Sequence, residues 1–148
     1  MNNGPATSTP AELVSIYLAA LQRQDVEALG ALVTDDFVLE VPFDAAGTND
    51  PRNALSWHGR EDYLTNYCAI FPRIAVHRIN DIVVRPTTDP NIVYAEAMGD
   101  MMLSDGTPYK NLYVFRFDFR DGRICRLKEF CNPVTAAIAF GRALPVSG

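Results

Sequence analysis

The chain has little of what most recognisable chemistries need. Its three cysteines, Cys68, Cys125 and Cys131, make no CxxC pair. Cys125 and Cys131 read as members of one strand, where they would stand about 20 Å apart at roughly 3.3 Å per residue, too far to bridge. All three are expected to be reduced thiols. The two histidines, His58 and His77, are isolated from one another, and HExxH, a Walker loop, GxGxxG and GxSxG are all absent. Metal, nucleotide and serine-nucleophile chemistry therefore lose their usual sequence support, and no cofactor or metal is expected. Basic residues are outnumbered, 13 against 18 acidic, for a net charge of -5. No basic face for nucleic acid is visible. No apolar run approaches the roughly 18 residues of a membrane span. The opening "MNNGPATSTP" has neither the basic nor the apolar segment of a signal peptide, so a cytoplasmic location without a membrane partner is expected.

What the chain does have is ordinary globular composition, 48% apolar and 21% charged over 148 residues, enough for one core and one domain. Residues 1–8 read as a polar, flexible tail and 9–148 as the domain. "TPAE" at Thr9 to Glu12 is a capping box with proline at the first helical position. The stripe Leu13, Tyr17, Ala20, Leu21 then keeps the helical period. Asp25 is the expected cap of a second short helix. "DDFVLEVPF" reads as a strand stopped at Pro42, residues 44–58 as a long loop, and the stretch from Gly59 to Pro72 as a third helix presenting Tyr63, Tyr67, Ile70 and Phe71. Four strand-like runs follow, at about 74–85, 91–103, 109–119 and 123–131, separated by turn-forming residues. Asn132 and Pro133 then open a last short helix that closes on Gly141. Helices first and strands afterwards predict an α+β fold: a curved antiparallel sheet with the helices segregated on one face.

One residue breaks the pattern. In "RICRLKEFCNP", Cys125, Leu127, Glu129 and Cys131 share a face at the two-residue repeat of a strand, and Glu129 is the only acid among them. Its surroundings depend on the preceding turn. A two-residue turn of Asp121 and Gly122 would put Glu129 opposite Val114, among charged side chains. A three-residue loop, Arg120 to Gly122, would put it opposite Tyr113, with Cys131 opposite Asn111. The longer loop is preferred because it sorts Arg116, Asp118, Arg126 and Lys128 onto one face and the aromatics Tyr109, Tyr113, Phe115 and Phe117 onto the other. The shorter one would bury charge among the rings. Glu129 then enters an aromatic hollow, which disfavours its charged form and suits it to proton transfer. Pairing with an arginine or capping a helix is the blander alternative. Asn111, the one amide on the aromatic face, is read as an anchor for a ligand carbonyl, the alternative being satisfaction of backbone. Tyr17 could present its hydroxyl to a ligand or lie in the core. His58 and His77 are read as structural or exposed, Cys131 as a small buried residue, and the facing of Glu96 and Asp100 stays open.

The stretches "LQRQDVEALGALVTDDFVLEVPF", "HGREDYL", "IFP", "YKNLYVFRFDFRDGRI" and "KEFCNP" resemble the nuclear transport factor 2-like superfamily. Within it they are most similar to the SnoaL-like polyketide cyclases and the phenazine-biosynthesis A/B proteins, over about residues 10–141. The resemblance implies a cone of sheet enclosing a pocket plugged by helices. It also matches Glu129 to a pocket acid implicated in acid/base chemistry, and Tyr17 to the helix tyrosine that supports the oxyanion in ketosteroid isomerases. The isomerase's aspartate before the first-strand proline is replaced here by Val41, and no counterpart of the phenazine proteins' pocket histidine is found. The expectation is an acid/base enzyme using Glu129, Asn111 and Tyr17. Its substrate pocket would be formed by Tyr113, Phe115, Leu127 and Cys131 on the strands, Tyr63 and Tyr67 on the third helix, and His58. The partner would be a small hydrophobic or aromatic metabolite, and the alternatives are a ligand carrier or a protein-interaction subunit. A homodimer through the convex sheet face, where Leu112, Val114 and Phe130 mix with charges, is expected as well.

Overall fold

A computed structural model describes residues 7–142 and 144; most of the expected tail lies outside them. Thr9 caps α1 (Pro10–Gln22) as its spacing requires, accepting the Glu12 N–H at 3.2 Å while its own N–H donates to the Glu12 carboxylate at 3.3 Å. Each bond satisfies a donor that the first turn would otherwise leave open. Asp25 does the same for α2 (Val26–Leu32) through the Ala28 N–H at 3.0 Å. Val14, Tyr17, Leu18 and Leu21 are buried and form the stripe by which α1 packs on the concave side of the sheet. No helix among the described residues is long and apolar enough to cross a membrane.

The sheet has six strands: β1 (Val33–Val41), β2 (Leu55–His58), β3 (Ile74–Pro86), β4 (Ile92–Leu103), β5 (Pro108–Arg120) and β6 (Arg123–Cys131). Their spatial order is β2-β1-β6-β5-β4-β3. Neighbours are antiparallel except β1 and β6, which run parallel. The curved α+β architecture is the expected one, with two additions: that parallel pair, and β2, which lies inside the stretch 44–58 expected as loop. Curvature has a local cause. Between Asn80 and Val83, β3 advances one residue more than β4, with Asp81 at φ 52, and a bulge of this kind bends the strand that carries it.

A second bulge decides where Glu129 points. The β5–β6 turn is the two-residue one: Arg120 pairs with Arg123, and Asp121 and Gly122 both take positive φ, 51 and 74, as a tight hairpin requires. The expected three-residue loop does not form. The extra residue sits instead in β6, where the register slips between Asp118 and Phe119, pairing Phe119 with Ile124 and Asp118 with Arg126. Cys125 is the residue left over, its thiol against the Asp118 carbonyl at 3.4 Å. The slip puts Ile124, Leu127, Glu129 and Cys131 on the concave face and Arg126 outside. The charges are sorted as desolvation demands, but Glu129 lies opposite Phe115 and Cys131 opposite Tyr113.

The third helical run is broken. An α turn α3 (Arg60–Asp62) passes into a π turn (Tyr63–Tyr67) and a 3₁₀ turn (Cys68–Arg73). The last helix, α4 (Pro133–Ala139), starts at Asn132, whose side chain accepts from the Val134 and Thr135 N–H groups at 3.0 and 3.3 Å. Glu96 is exposed on the convex face, and Asp100, on the same side, meets Arg78 at 3.2 Å.

Candidate functional site

Between the concave sheet, the broken helical run and α4 lies a cavity of about 630 Å³. Trp57 of β2, Tyr67 of the π turn, Tyr113 and Phe115 of β5 and Phe140 beyond α4 supply rings to its wall, and Phe43, Asp44 and Leu55 from the stretch after β1 border it too. The rings are packed edge to face or stacked: Trp57 on Tyr67 at 5.0 Å and 76°, Tyr113 on Phe115 at 5.4 Å and 5°. These offsets suit the charge distribution of aromatic faces and edges and fix the wall's shape. Gly99 of β4 leaves room for one of them, since a Cβ there would come within 2.7 Å of the Tyr113 ring.

Glu129 stands on this wall, half-buried and turned toward the cavity, where its charged form loses part of the stabilisation that bulk water gives. Tyr67 Oη donates to Glu129 Oε1 at 3.1 Å, and among the described residues it is the carboxyl's one hydrogen-bond partner. Neither an arginine pairing nor a helix-capping role is found for it there. Burial pushes the carboxyl up to about 7, and the Tyr67 bond opposes the shift without cancelling it. Near pH 7 both protonation states are then populated, which a group that both takes and returns a proton needs.

Other residues from the expected set are placed differently. Asn111 is buried, and its hydrogen bonds go to protein: Oδ1 accepts the N–H groups of Leu112 and Asn132, both at 2.9 Å, and Nδ2 donates to the Asn132 carbonyl at 3.0 Å and to Tyr109 Oη at 2.8 Å. It ties the end of β6 to β5 and so aims α4 at the cavity, and its amide is taken up by protein partners rather than offered to a ligand as expected. Tyr17 and Tyr63, expected at the site, lie instead in the core, hydroxyl to hydroxyl at 2.7 Å, behind the wall. Leu127 is core, opposite Phe117. His58 is exposed on the edge strand with Nε2 2.9 Å from Ser56 Oγ; alternation along β2 sends its neighbour Trp57 inward instead. Cys131 does line the cavity, with burial pushing its thiol up to about 12, so it is protonated and a poor nucleophile at neutral pH. Asn111→Leu is expected to lower the unfolding free energy by about 2 kcal/mol, the usual penalty for stranding buried backbone groups, and urea denaturation measures it.

The wall also holds groups not expected there from the sequence, Trp57 and Phe140 among them, and His77, expected to be structural or exposed. His77 of β3 lines the cavity, edge-on to Phe71 at 5.8 Å with Nδ1 3.5 Å from Gln24 Nε2. Burial lowers its pKa to about 4, which keeps the ring neutral. His77 shares the inward face of β3 with Ile79, but the register slip between Ile74 and Val76 breaks the alternation that would have marked that face from Ile74 onward. Tyr109 is another wall group, and the sequence had put it on the aromatic face without a role. Among the described residues no three His, Cys, Asp or Glu side chains gather as a metal site would need.

Comparison with known proteins gives a consistent result. The model of the SnoaL-like domain family matches residues 14–127. YesE of Bacillus subtilis (strain 168), described as uncharacterized, is 27% identical over 131 residues, 88% of this chain and 86% of YesE. A Bacillus subtilis structure described provisionally as an isomerase superposes with a TM-score of 0.74 at 24% identity, over 90% of this chain and 93% of that one. The phenazine biosynthesis-related protein of Pseudomonas aeruginosa does so with 0.70 at 20%, over 93% and 88%. At such identities these two likenesses are of fold.

Proposed function

The chain belongs to the SnoaL-like family, and from that premise we propose that it is a cofactor-free acid/base enzyme, a cyclase, isomerase or condensation catalyst, whose proton carrier is Glu129. The observation that carries the reading is a carboxyl with one phenolic partner, raised to about 7, facing an aromatic cavity of about 630 Å³. That volume accommodates one molecule of the usual small-ligand size, and flat walls at Tyr113, Phe115 and Trp57 favour a largely planar aromatic or polyketide-like substrate. Tyr67 orients one carboxyl oxygen, leaving the other for the proton in transit. The relatives' isomerase and phenazine-biosynthesis descriptions support the same class of chemistry. A panel of such compounds, assayed for conversion by wild type and Glu129→Gln, tests the proposal; a non-catalytic carrier would bind members of the panel and convert none.

A homodimer through the convex sheet face belongs to this reading. Leu112 is 65% exposed there, with Met98, 46% exposed, paired opposite it and Val114, 39% exposed, next on the same face of β5, a larger apolar group than an isolated surface residue makes. Leu112→Glu should convert a dimer to a monomer in size exclusion with light scattering. A monomeric wild-type protein would remove the dimer from the account.

A further inference from the structure

The hydroxyl protons on the cavity wall do not balance. Tyr109 Oη accepts from Asn111 Nδ2 at 2.8 Å and from the Tyr113 hydroxyl at 3.1 Å. The amide cannot be turned the other way. Its oxygen already accepts two backbone N–H groups and its nitrogen already donates to a backbone carbonyl, so a flip would set donors against donors. A phenol oxygen has one proton and two lone pairs. With both lone pairs of Tyr109 occupied, its own proton has no acceptor among the described residues. Were the bond between the two tyrosines reversed, the spare proton would sit on Tyr113 instead. Either way the pair owns one O–H more than the protein around it accepts, and both tyrosines line the cavity. Leaving a buried donor unmet is costly, so the arrangement calls for an oxygen from outside the chain.

The position of that donor is informative. Tyr113 is opposite Cys131, so Glu129, two residues along β6 on the same face, is its diagonal neighbour, roughly 7–8 Å away at Cβ. Donor and carboxyl thus face one small molecule from adjoining parts of the wall. Burial holds both phenols above their ordinary range, so each keeps its proton at neutral pH.

We propose that Tyr109 and Tyr113, oriented by the Asn111 amide, form the hydrogen-bond donor for a carbonyl oxygen that becomes an enolate or phenolate. The substrate is then an enolisable carbonyl compound whose acidic C–H adjoins that oxygen. The proton step rests on the reading of Glu129 given above; the oxygen site does not. In the step, the Glu129 carboxylate takes the proton from the carbon next to the carbonyl, the C–H electron pair becomes the carbon–carbon double bond, and the carbonyl π pair moves onto oxygen, where the tyrosine O–H meets the charge. Protonated Glu129 then returns the proton, either to a different carbon, giving an isomer, or to the alkoxide formed when the enolate carbon attacks a second carbonyl of the same molecule, giving a ring. No co-reactant is consumed.

The test uses two probes, 4-nitrophenol ionised to its phenolate and nitrobenzene, the same ring without the oxygen, titrated by calorimetry. Glu129→Gln serves as the background so that carboxylate charge does not repel the phenolate. Adding Tyr109→Phe and Tyr113→Phe together should weaken nitrophenolate binding at least 10-fold, as expected for hydrogen bonds to a charged oxygen, and leave nitrobenzene within about twofold. Tyr113→Phe alone, which keeps the Asn111–Tyr109 bond, should weaken it less than the double change; if the double variant does not fold, Tyr109→Phe and Tyr113→Phe singly must each reduce the phenolate preference. Equal losses for both probes, or no loss, overturn the proposal. If the tyrosine changes act as stated while Glu129→Gln leaves turnover intact, the oxygen site stands and the proton-carrier reading falls.

Discussion

Glu129→Gln is expected to lower turnover about 10³-fold while changing ligand affinity by less than about threefold, the signature of a lost proton carrier whose contribution is typically 10²–10⁴. Glutamine keeps the volume and an oxygen to accept the Tyr67 hydroxyl, so the wall should persist. What it removes is the exchangeable proton. Tyr67→Phe makes the complementary change. It deletes the one protein hydrogen bond that opposes the upward shift of the Glu129 pKa, so the pH at which rate is half-maximal should move higher while the maximal rate falls less than in the glutamine variant. Steady-state kinetics across pH with a converted compound from the panel reads both. A glutamine variant with wild-type turnover would assign the chemistry elsewhere.

The same substitution is expected to make the protein more stable above neutral pH, by about 3 kcal/mol. The unfolded chain binds a proton at Glu129 only below about 4.5, whereas the folded chain holds it up to about 7. Between those values the folded state binds more protons than the unfolded one, so stability falls as pH rises. The slope is about 1.4 kcal/mol per pH unit over that window, and the loss is complete above it. Below about pH 4 the carboxyl is protonated in both states and contributes no pH dependence. Glutamine has no charge to bury, so the variant should match wild type near pH 4 and exceed it by about 3 kcal/mol at pH 8, or roughly 6–12 °C in melting temperature for a chain of this size. Differential scanning calorimetry at the two pH values measures it. A group retained at a stability penalty is what a functional site would show. Equal melting curves at pH 8 would mean the carboxyl is hydrated when charged.

Much of this site was legible because local chemistry dictated it. Thr9 with Glu12, Asp25 and Asn132 each announce a helix start by side-chain type and spacing. The aromatic alternation of β5 marks the concave face without knowledge of any neighbour. Glu129 was placed on that face by a correct rule, the sorting of charge away from rings, applied through the wrong device. Asp121-Gly122 makes the tight turn its chemistry favours, and the register is corrected by a bulge at Cys125, which no residue type signals. The edge strand at Leu55–His58 escaped because four residues carry no readable period and their order comes from pairing with β1. Asn111 was misassigned for a related reason. A buried amide on an aromatic face is equally suited to a ligand or to backbone, and only the approach of Asn132 across the sheet decides. Tyr17, on an inward helical stripe, could be told from a wall residue only by knowing that Tyr63 would meet it.

The account rests on Glu129 holding its proton near neutrality inside the cavity. Carbon-13 NMR of protein labelled at the glutamate side-chain carboxyls, with the Glu129 signal identified by its loss in Glu129→Gln, measures this directly. The predicted titration midpoint is near pH 7, and a midpoint at or below the ordinary glutamate value of about 4.3 would contradict it.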